Sequence, residues 1–180
     1  MEKNNASTQQ IIISGPESTG KTELARSLAA HYSCDWVPEL ARSYIEDLNR
    51  DYTYEDVVHI AKLQIEQFIS IFNGNKKAIF DTGLIITKVW FDVVYHKCPE
   101  FVIEFIKEQP KIHHMLCSTD IPWQPDSVRE NGGAMREELF KTYINELEKF
   151  EFPFTVIKGL GKSRLQNAIK SIDGSNLFSE

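Results

Sequence analysis

The chain has few cysteines: Cys34, Cys98 and Cys117 in 180 residues. They are widely spaced and form no C-x-x-C pair, so neither a disulfide framework nor a zinc site is indicated, and a reducing cytoplasm fits best. No apolar run approaches the length of a membrane span, and the polar start, Met1–Gln9, lacks the apolar centre of a signal peptide. Basic residues are in the minority, with 20 Lys and Arg against 26 Asp and Glu and a net charge of −6. That balance argues against nucleic acid or an anionic membrane as the main partner. Internal repeats and low-complexity linkers are also missing. What remains is the length and the ordinary 42% hydrophobic content of one globular domain, expected over residues 11–180 behind a disordered tail of residues 1–10. A homo-oligomer is compatible with this composition but not indicated by it.

The stretch Gln10–Leu24 organises the rest. Gly15, Gly20, Lys21 and Thr22 complete a G-x-x-x-x-G-K-T phosphate-binding pattern. The β-branched run Ile11–Ile13 ahead of it suits a buried parallel strand. Behind it Leu24, Leu28 and Ala29 recur at helical spacing through Ala25–Tyr32. Strand, glycine loop and helix together are the context the pattern requires. The glycines allow a tight turn that brings amide N–H groups to phosphate oxygens, and the helix adds the positive end of its dipole. Glu17, Ser18 and Thr19 complete the loop. Lys21 would reach the β- and γ-phosphates, and the Thr22 hydroxyl would coordinate Mg²⁺. The expected ligand is a nucleoside triphosphate, ATP with Mg²⁺.

Short apolar strands then alternate with amphipathic helices. Strands are expected at Cys34–Val37, Ala78–Asp81, His113–Ser118 and Phe154–Ile157. Helices are expected at Glu39–Leu48, Tyr54–Phe72, Ile85–Tyr95, Glu100–Gln109, Ala134–Phe150 and Lys162–Ile172. Thr53 and Asp56 suit a capping box before the second of these, and Gly74 its end. Ile121–Gly133, with two prolines and two glycines, reads as a mobile lid-like excursion. The resulting fold class is α/β: a doubly wound five-stranded parallel sheet with helices on both faces. Ligands of such sheets sit outside the carboxyl ends of the strands.

Several side chains fall at those ends. Asp81, closing the third strand, is the carboxylate type a phosphate loop needs near its metal, or else a cap for the next helix with Thr82. Glu39 and Arg42 follow the second strand on one helical face. They suit a base for an acceptor hydroxyl and its anchor, or a surface ion pair. Arg129 and Arg136 lie in and just after the excursion. There they could stabilise a transferred phosphoryl group or balance Glu130, Glu137 and Glu138. Gln64, in the middle of the long helix, is either a surface residue or a donor and acceptor for a planar base. His113 and His114 alternate across a strand and cannot share a metal. Trp36, Trp90 and Trp123 read as core residues.

The ordered series Gly15–Thr22, Val37–Arg42, Ile79–Thr82 with Thr87–Trp90, and Asp120–Trp123 with Asp126 and Arg129 resembles the ribosylnicotinamide kinase domain of NadR-type proteins and the AAA-like ATPase family grouped with it. The likeness runs from about Ile11 to Ile172. It implies a P-loop kinase fold with the first strand central, ATP and Mg²⁺, and γ-phosphoryl transfer to the 5′-hydroxyl of a riboside, nicotinamide riboside first. It implies Lys21, Glu39, Asp81, Arg129 and Arg136 as catalytic residues, with Thr22 and Asp81 on the metal. Glu39, Arg42 and Gln64 would take the acceptor, and Lys158–Gly159 with Arg164 the adenine side. The chain departs from the family at Pro38, where relatives acting on nicotinamide riboside tend to have Trp, and at Gly83, where many have a second Asp. The competing class is a nucleotide-binding regulatory ATPase module that has no small-molecule acceptor.

Overall fold

The computed structural model describes residues 9–74, 76–123 and 134–178. Five strands form one parallel sheet in the order β2-β3-β1-β4-β5: β1 Gln10–Ser14, β2 Asp35–Val37, β3 Ala78–Asp81, β4 His113–Cys117 and β5 Phe154–Ile157. The central strand β1 pairs with β3 (Ile12 beside Phe80) and with β4 (Ile12 beside His114). All five of its residues are buried, as a strand covered on both faces requires. Gln10 begins this strand, so the expected tail does not extend to residue 10.

Alternation along β1 divides the interior into two layers. Ile11 and Ile13 pack with Met115 and Ile157 against α1 (Lys21–His31) and α7 (Gly161–Gly174), through Leu24, Leu28, Ala168 and Ile172. Ile12 points the other way, into a cluster with Val37, Phe68, Phe80 and Ile112. That face is covered by α3 (Tyr54–Asn73), α4 (Leu84–Trp90), α5 (Glu100–Glu108) and α6 (Ala134–Lys149), which share a cluster centred on Ile85, Phe91, Ile106, Leu116 and Leu147. The short α2 (Leu40–Asp47) lies against α3.

The capping box at α3 forms as its residues suggest: Thr53 Oγ1 accepts from the Asp56 amide, and Asp56 accepts from the Thr53 amide at 2.7 Å. One element differs from expectation. The helix expected to run to Tyr95 is α-helical only to Trp90, and Phe91–Tyr95 is a π-helical turn. It is secured by Lys88, buried on α4, whose ammonium lies 2.7 Å from Asp92 of the turn and 2.6 Å from Glu146 of α6. A buried ammonium needs such partners, and the carboxylates hold the Lys88 pKa up against the effect of burial. Among the described residues no helix is long and apolar enough to cross a membrane.

Candidate active site

The phosphate loop connects β1 to α1 at the carboxyl edge of the sheet. Two of its glycines are required by geometry. Gly15 has φ +140°, and a Cβ there would lie 2.8 Å from the Cys117 carbonyl oxygen at the end of β4. Gly20, at φ +73°, caps α1 in the left-handed region. Thr19 is buried and donates to the Pro16 carbonyl. Lys21 Nζ donates to the same carbonyl at 2.8 Å, lying folded across the loop.

The loop has a dedicated support on its β4–β5 side. Arg164, only 3% exposed, donates to the carbonyls of Thr19 (2.8 Å), Gly159 (2.7 Å) and Ser118 (3.2 Å) and pairs with Asp120. Asp120 also accepts from the Gly159 amide at 2.7 Å. Arg164 therefore ties the phosphate loop to the Lys158–Gly159 turn, its donors turned to main-chain carbonyls rather than to the cleft. Arg136 is similarly occupied. Its guanidinium is buried and donates to the carbonyls of Ile121 (2.8 Å) and Thr119 (3.2 Å). Arg129, together with Asp126, lies outside the described residues.

On the β3 side the balance is reversed. Asp81 is 2% exposed, and neither carboxylate oxygen has a hydrogen bond of normal geometry. Burial raises its pKa, opposed by the nearby Thr22 hydroxyl and by the charges of Lys21, Arg26 and Arg42. The helix-cap alternative for Asp81 fails, because Gly83 occupies the α4 N-cap and no side chain caps it. An unsatisfied buried carboxylate beside a threonine hydroxyl is a hard oxygen donor set, which suits Mg²⁺ completed by phosphate oxygens and water. Thr82, between them, has φ +77°. For a β-branched residue that is a strained conformation, of the kind that collects at functional sites. Gly83 itself is extended, but a Cβ on it would come within 3.0 Å of Ile12 Cγ2.

Glu39 stands at the α2 N-cap without making a cap hydrogen bond. Its carboxyl is pushed up by burial, then held down by Lys21, raised by Asp81 and lowered by Arg42. The structure thus brings Lys21, Thr22, Glu39, Arg42 and Asp81 into one electrostatic neighbourhood. Arg42 does not pair with Glu39 along the helix. Its Nε donates to Glu46 at 3.0 Å. Gln64 is tied to α4: its Oε1 accepts from Thr87 Oγ1 at 2.6 Å, which leaves the amide NH₂ with donor capacity.

The phosphate loop, Glu39, Arg42 and Gln64 open on one cleft of about 1440 Å³ that runs on to Tyr52, Trp90 and Tyr95, while Asp81 lines a small separate pocket with Pro38, Thr82, Gly83 and Gln64, of which Thr82 and Gln64 also line the cleft. A single small-molecule site is typically ~300–1,000 Å³, so this cleft has room for two ligands end to end. Sequence reasoning missed two of its parts. Tyr143 of α6 lines it, buried, with its hydroxyl pKa raised by burial and by Glu17 and Glu39. Trp90, read as a core residue, packs against the core and lines the cleft as well. Leu139, Tyr143 and Leu147 lie on the buried stripe of α6, and their spacing does not tell which end meets the cleft.

A NadR protein in complex with nicotinamide riboside superposes with a TM-score of 0.68 at 20% identity, over 92% of this chain and 50% of that one. Another NadR structure, in complex with NAD and AMP-PNP, gives 0.66 at 19% identity, over 92% and 48%. A deoxyadenosine kinase from M. mycoides, with products dCMP and a flexible dCDP bound, gives 0.64 at 15% identity, over 92% and 99%. The chain spans about half the length of the NadR chains, and these likenesses establish the P-loop kinase fold. No curated protein sequence matches it. The family model described as an AAA domain matches residues 10–164, most of the chain, and with its phosphate loop and parallel sheet the protein belongs to that P-loop family.

Proposed function

We propose that the chain is an ATP- and Mg²⁺-dependent phosphotransferase acting on a nucleoside-like acceptor, with nicotinamide riboside the first candidate. The observation that carries the reading is that Lys21 and Glu39 line one cleft that continues past them, with the Asp81 carboxylate close enough to act on Glu39 electrostatically. A nucleotide-hydrolysing switch needs the phosphate loop and the metal carboxylate. It has no need of a cleft that extends well beyond the phosphate loop, past Gln64 and Trp90.

In this reading the Gly15–Thr22 amides and Lys21 hold the triphosphate, Lys21 exchanging its Pro16 carbonyl for phosphate oxygens. Thr22 and Asp81 hold Mg²⁺, which when bound neutralises charge on the β- and γ-phosphates. Arg164 and Asp120 keep the loop in shape. Glu39, its pKa raised by burial, accepts the proton of the acceptor hydroxyl as the new P–O bond forms and the bond to the β-phosphate oxygen breaks. ADP leaves, and the proton passes from Glu39 to solvent. Arg42 and the Gln64 amide face the acceptor, and Arg136 acts through the Thr119–Ile121 segment it holds. Arg129 is assigned to phosphoryl charge by the family resemblance alone.

The test is ADP release measured with ATP and Mg²⁺ over a set of ribosides, with product mass. ADP formation that depends on one riboside, together with a product 80 mass units heavier (roughly, one PO₃H group), supports the reading. A slow ATPase rate that no acceptor alters would replace it with the regulatory ATPase module.

A further inference from the structure

One wall of the cleft beside the phosphate loop comes from the β4 side of the sheet. Among the described residues it consists of Ile121 and Pro122, from the segment after β4, and of Leu139 and Tyr143 from α6. Ile121 lies against the loop itself, since a Cβ on Gly20 would meet its Cδ1 at 3.4 Å. Three of these four side chains are hydrocarbon, and Tyr143 alone carries a polar atom. Tyr143 is 6% exposed and packs with Leu139, Leu147, Phe150 and Phe152 in one core cluster. That packing leaves its hydroxyl as the part available to a ligand.

A buried phenol ordinarily finds a hydrogen-bond partner within its own protein. Tyr143 has none among the described residues. Burial first, then the charges of Glu17 in the phosphate loop and of Glu39 beyond β2, push its pKa up, so the hydroxyl remains a donor at neutral pH. The loop that would hold the γ-phosphate and the carboxylate assigned as base thus both act on this one group. Arg136, two turns earlier on the same stripe of α6, is committed elsewhere, to the carbonyls of Thr119 and Ile121. One turn beyond Tyr143, Glu146 pairs with the buried Lys88 of α4 at 2.6 Å, which fixes α6 beside the cleft.

Resting on the phosphotransferase reading, we propose that Tyr143 is a further catalytic residue, whose hydroxyl donates a hydrogen bond to an oxygen of the transferred γ-phosphoryl group. During transfer the equatorial oxygens of that group share negative charge, and Lys21 meets them from the loop. A fixed donor on the facing wall answers charge that develops only as the bonds exchange. Tyr143 keeps its proton throughout. The proton of the acceptor hydroxyl still passes to Glu39, and no atom of Tyr143 is transferred. A neutral donor suits this wall better than a cation, because a phenol is buried among hydrocarbon at less cost than a guanidinium.

Tyr143→Phe keeps the ring and its packing and removes the donor. With whichever riboside is phosphorylated, kcat should fall about tenfold or more, while the KM values for ATP and for the acceptor stay within about twofold. An unchanged kcat in folded Tyr143→Phe overturns the contact, and so does a loss confined to the acceptor KM, which would place the hydroxyl on the acceptor instead. A second measurement needs no turnover. In Tyr143→fluorotyrosine the fluorine resonance should move when ADP, Mg²⁺ and aluminium fluoride are added together, the fluoride complex standing for the phosphoryl group in transfer. ADP and Mg²⁺ alone should move it far less. A resonance indifferent to the mimic overturns the proposal. If no riboside is phosphorylated, basal ATP hydrolysis becomes the readout. A rate lowered in Tyr143→Phe at unchanged ATP affinity then keeps the contact while the phosphotransferase reading falls. A riboside kinase indifferent to Tyr143→Phe keeps that reading and loses the contact.

Discussion

Arg164 and Asp81 are both buried charges, and they flank the same phosphate loop from opposite sides of β1. Their surroundings could hardly differ more. Arg164 donates to three carbonyls and pairs with Asp120, while Asp81 has no hydrogen bond of normal geometry on either oxygen. A buried charge satisfied within the chain is scaffold, since its removal leaves orphaned carbonyls. A buried charge left unsatisfied is kept against its cost in stability and marks the place where something else must bind. One side of the loop is built to stay as it is. The other is built to receive.

The most drastic test lies between them. Lys21→Ala removes the ammonium from the triphosphate and should abolish turnover with the fold intact, read as activity beside an unchanged circular dichroism spectrum. Residual activity near wild type would dissolve the whole distinction between the two sides. Glu39→Gln keeps shape and removes the base, so kcat should fall by roughly 10²–10⁴ with little change in ATP affinity. If Glu39→Gln turns over normally while Asp81→Asn binds Mg²⁺·ATP and is dead, Asp81 is the base and the metal assignment passes elsewhere.

The next test addresses the satisfied side. Arg164→Met keeps volume, unpairs Asp120 and strands the carbonyls of Thr19, Ser118 and Gly159, and should destabilise the protein by about 3 kcal/mol in denaturant unfolding. A loss below about 1 kcal/mol would mean that water replaces the guanidinium without penalty. The smallest effect has the opposite sign. Asp81→Asn removes a buried charge whose burial outweighs the pull of Thr22, Lys21, Arg26 and Arg42, and in the absence of nucleotide it should raise Tm by a few degrees. The pH dependence carries the same information. Because the folded pKa of Asp81 is raised, its neutral form stabilises the fold below the unfolded pKa of about 3.9. That contribution disappears as pH climbs through the folded pKa. Unfolding followed against pH should show a steeper decline in wild type than in Asp81→Asn, where only the raised carboxyl of Glu39 remains. Saturating Mg²⁺·ATP at neutral pH should offset it, by ~2.7 kcal/mol at a hundredfold excess over Kd. A stabler wild type would show that Asp81 is already satisfied.

Much of this was legible in the sequence because its signals are local. The glycine spacing, the flanking strand and helix, and the carboxylate closing Ile79-Phe80 need only neighbours within a few residues, and each sits where its pattern indicated. The capping box at Thr53 is equally local. What was not legible depends on direction and on partners far along the chain. The resemblance puts Arg164 on the adenine side, but its stripe with Ala168 and Ile172 turns it inward. Even then nothing in the sequence names Thr19, 145 residues away, as its acceptor. Arg136 shares the buried stripe of Leu139, Tyr143 and Leu147 in the same way. The π-helical turn escaped because 3.6-residue periodicity cannot register a single wider turn. Trp90 escaped because a large ring can serve core and cleft together.

The contact between Gly83 and Ile12 limits how this site can change by mutation. Any side chain at 83 meets a β-branched residue of the central strand, so the second carboxylate carried by relatives is not one substitution away. Asp at 83 alone forces the Ile12 methyl aside, and a smaller residue at 12 alone leaves a hole among Val37, Phe68 and Phe80. The two changes are tolerable chiefly together, so their effects should be strongly non-additive. A single-step route between the two site chemistries requires the Ile12 side chain to give by a few tenths of an ångström. The one-carboxylate form of the β3 edge is therefore held in place by a hydrocarbon contact on the reverse of the sheet's central strand, with no part in the reaction.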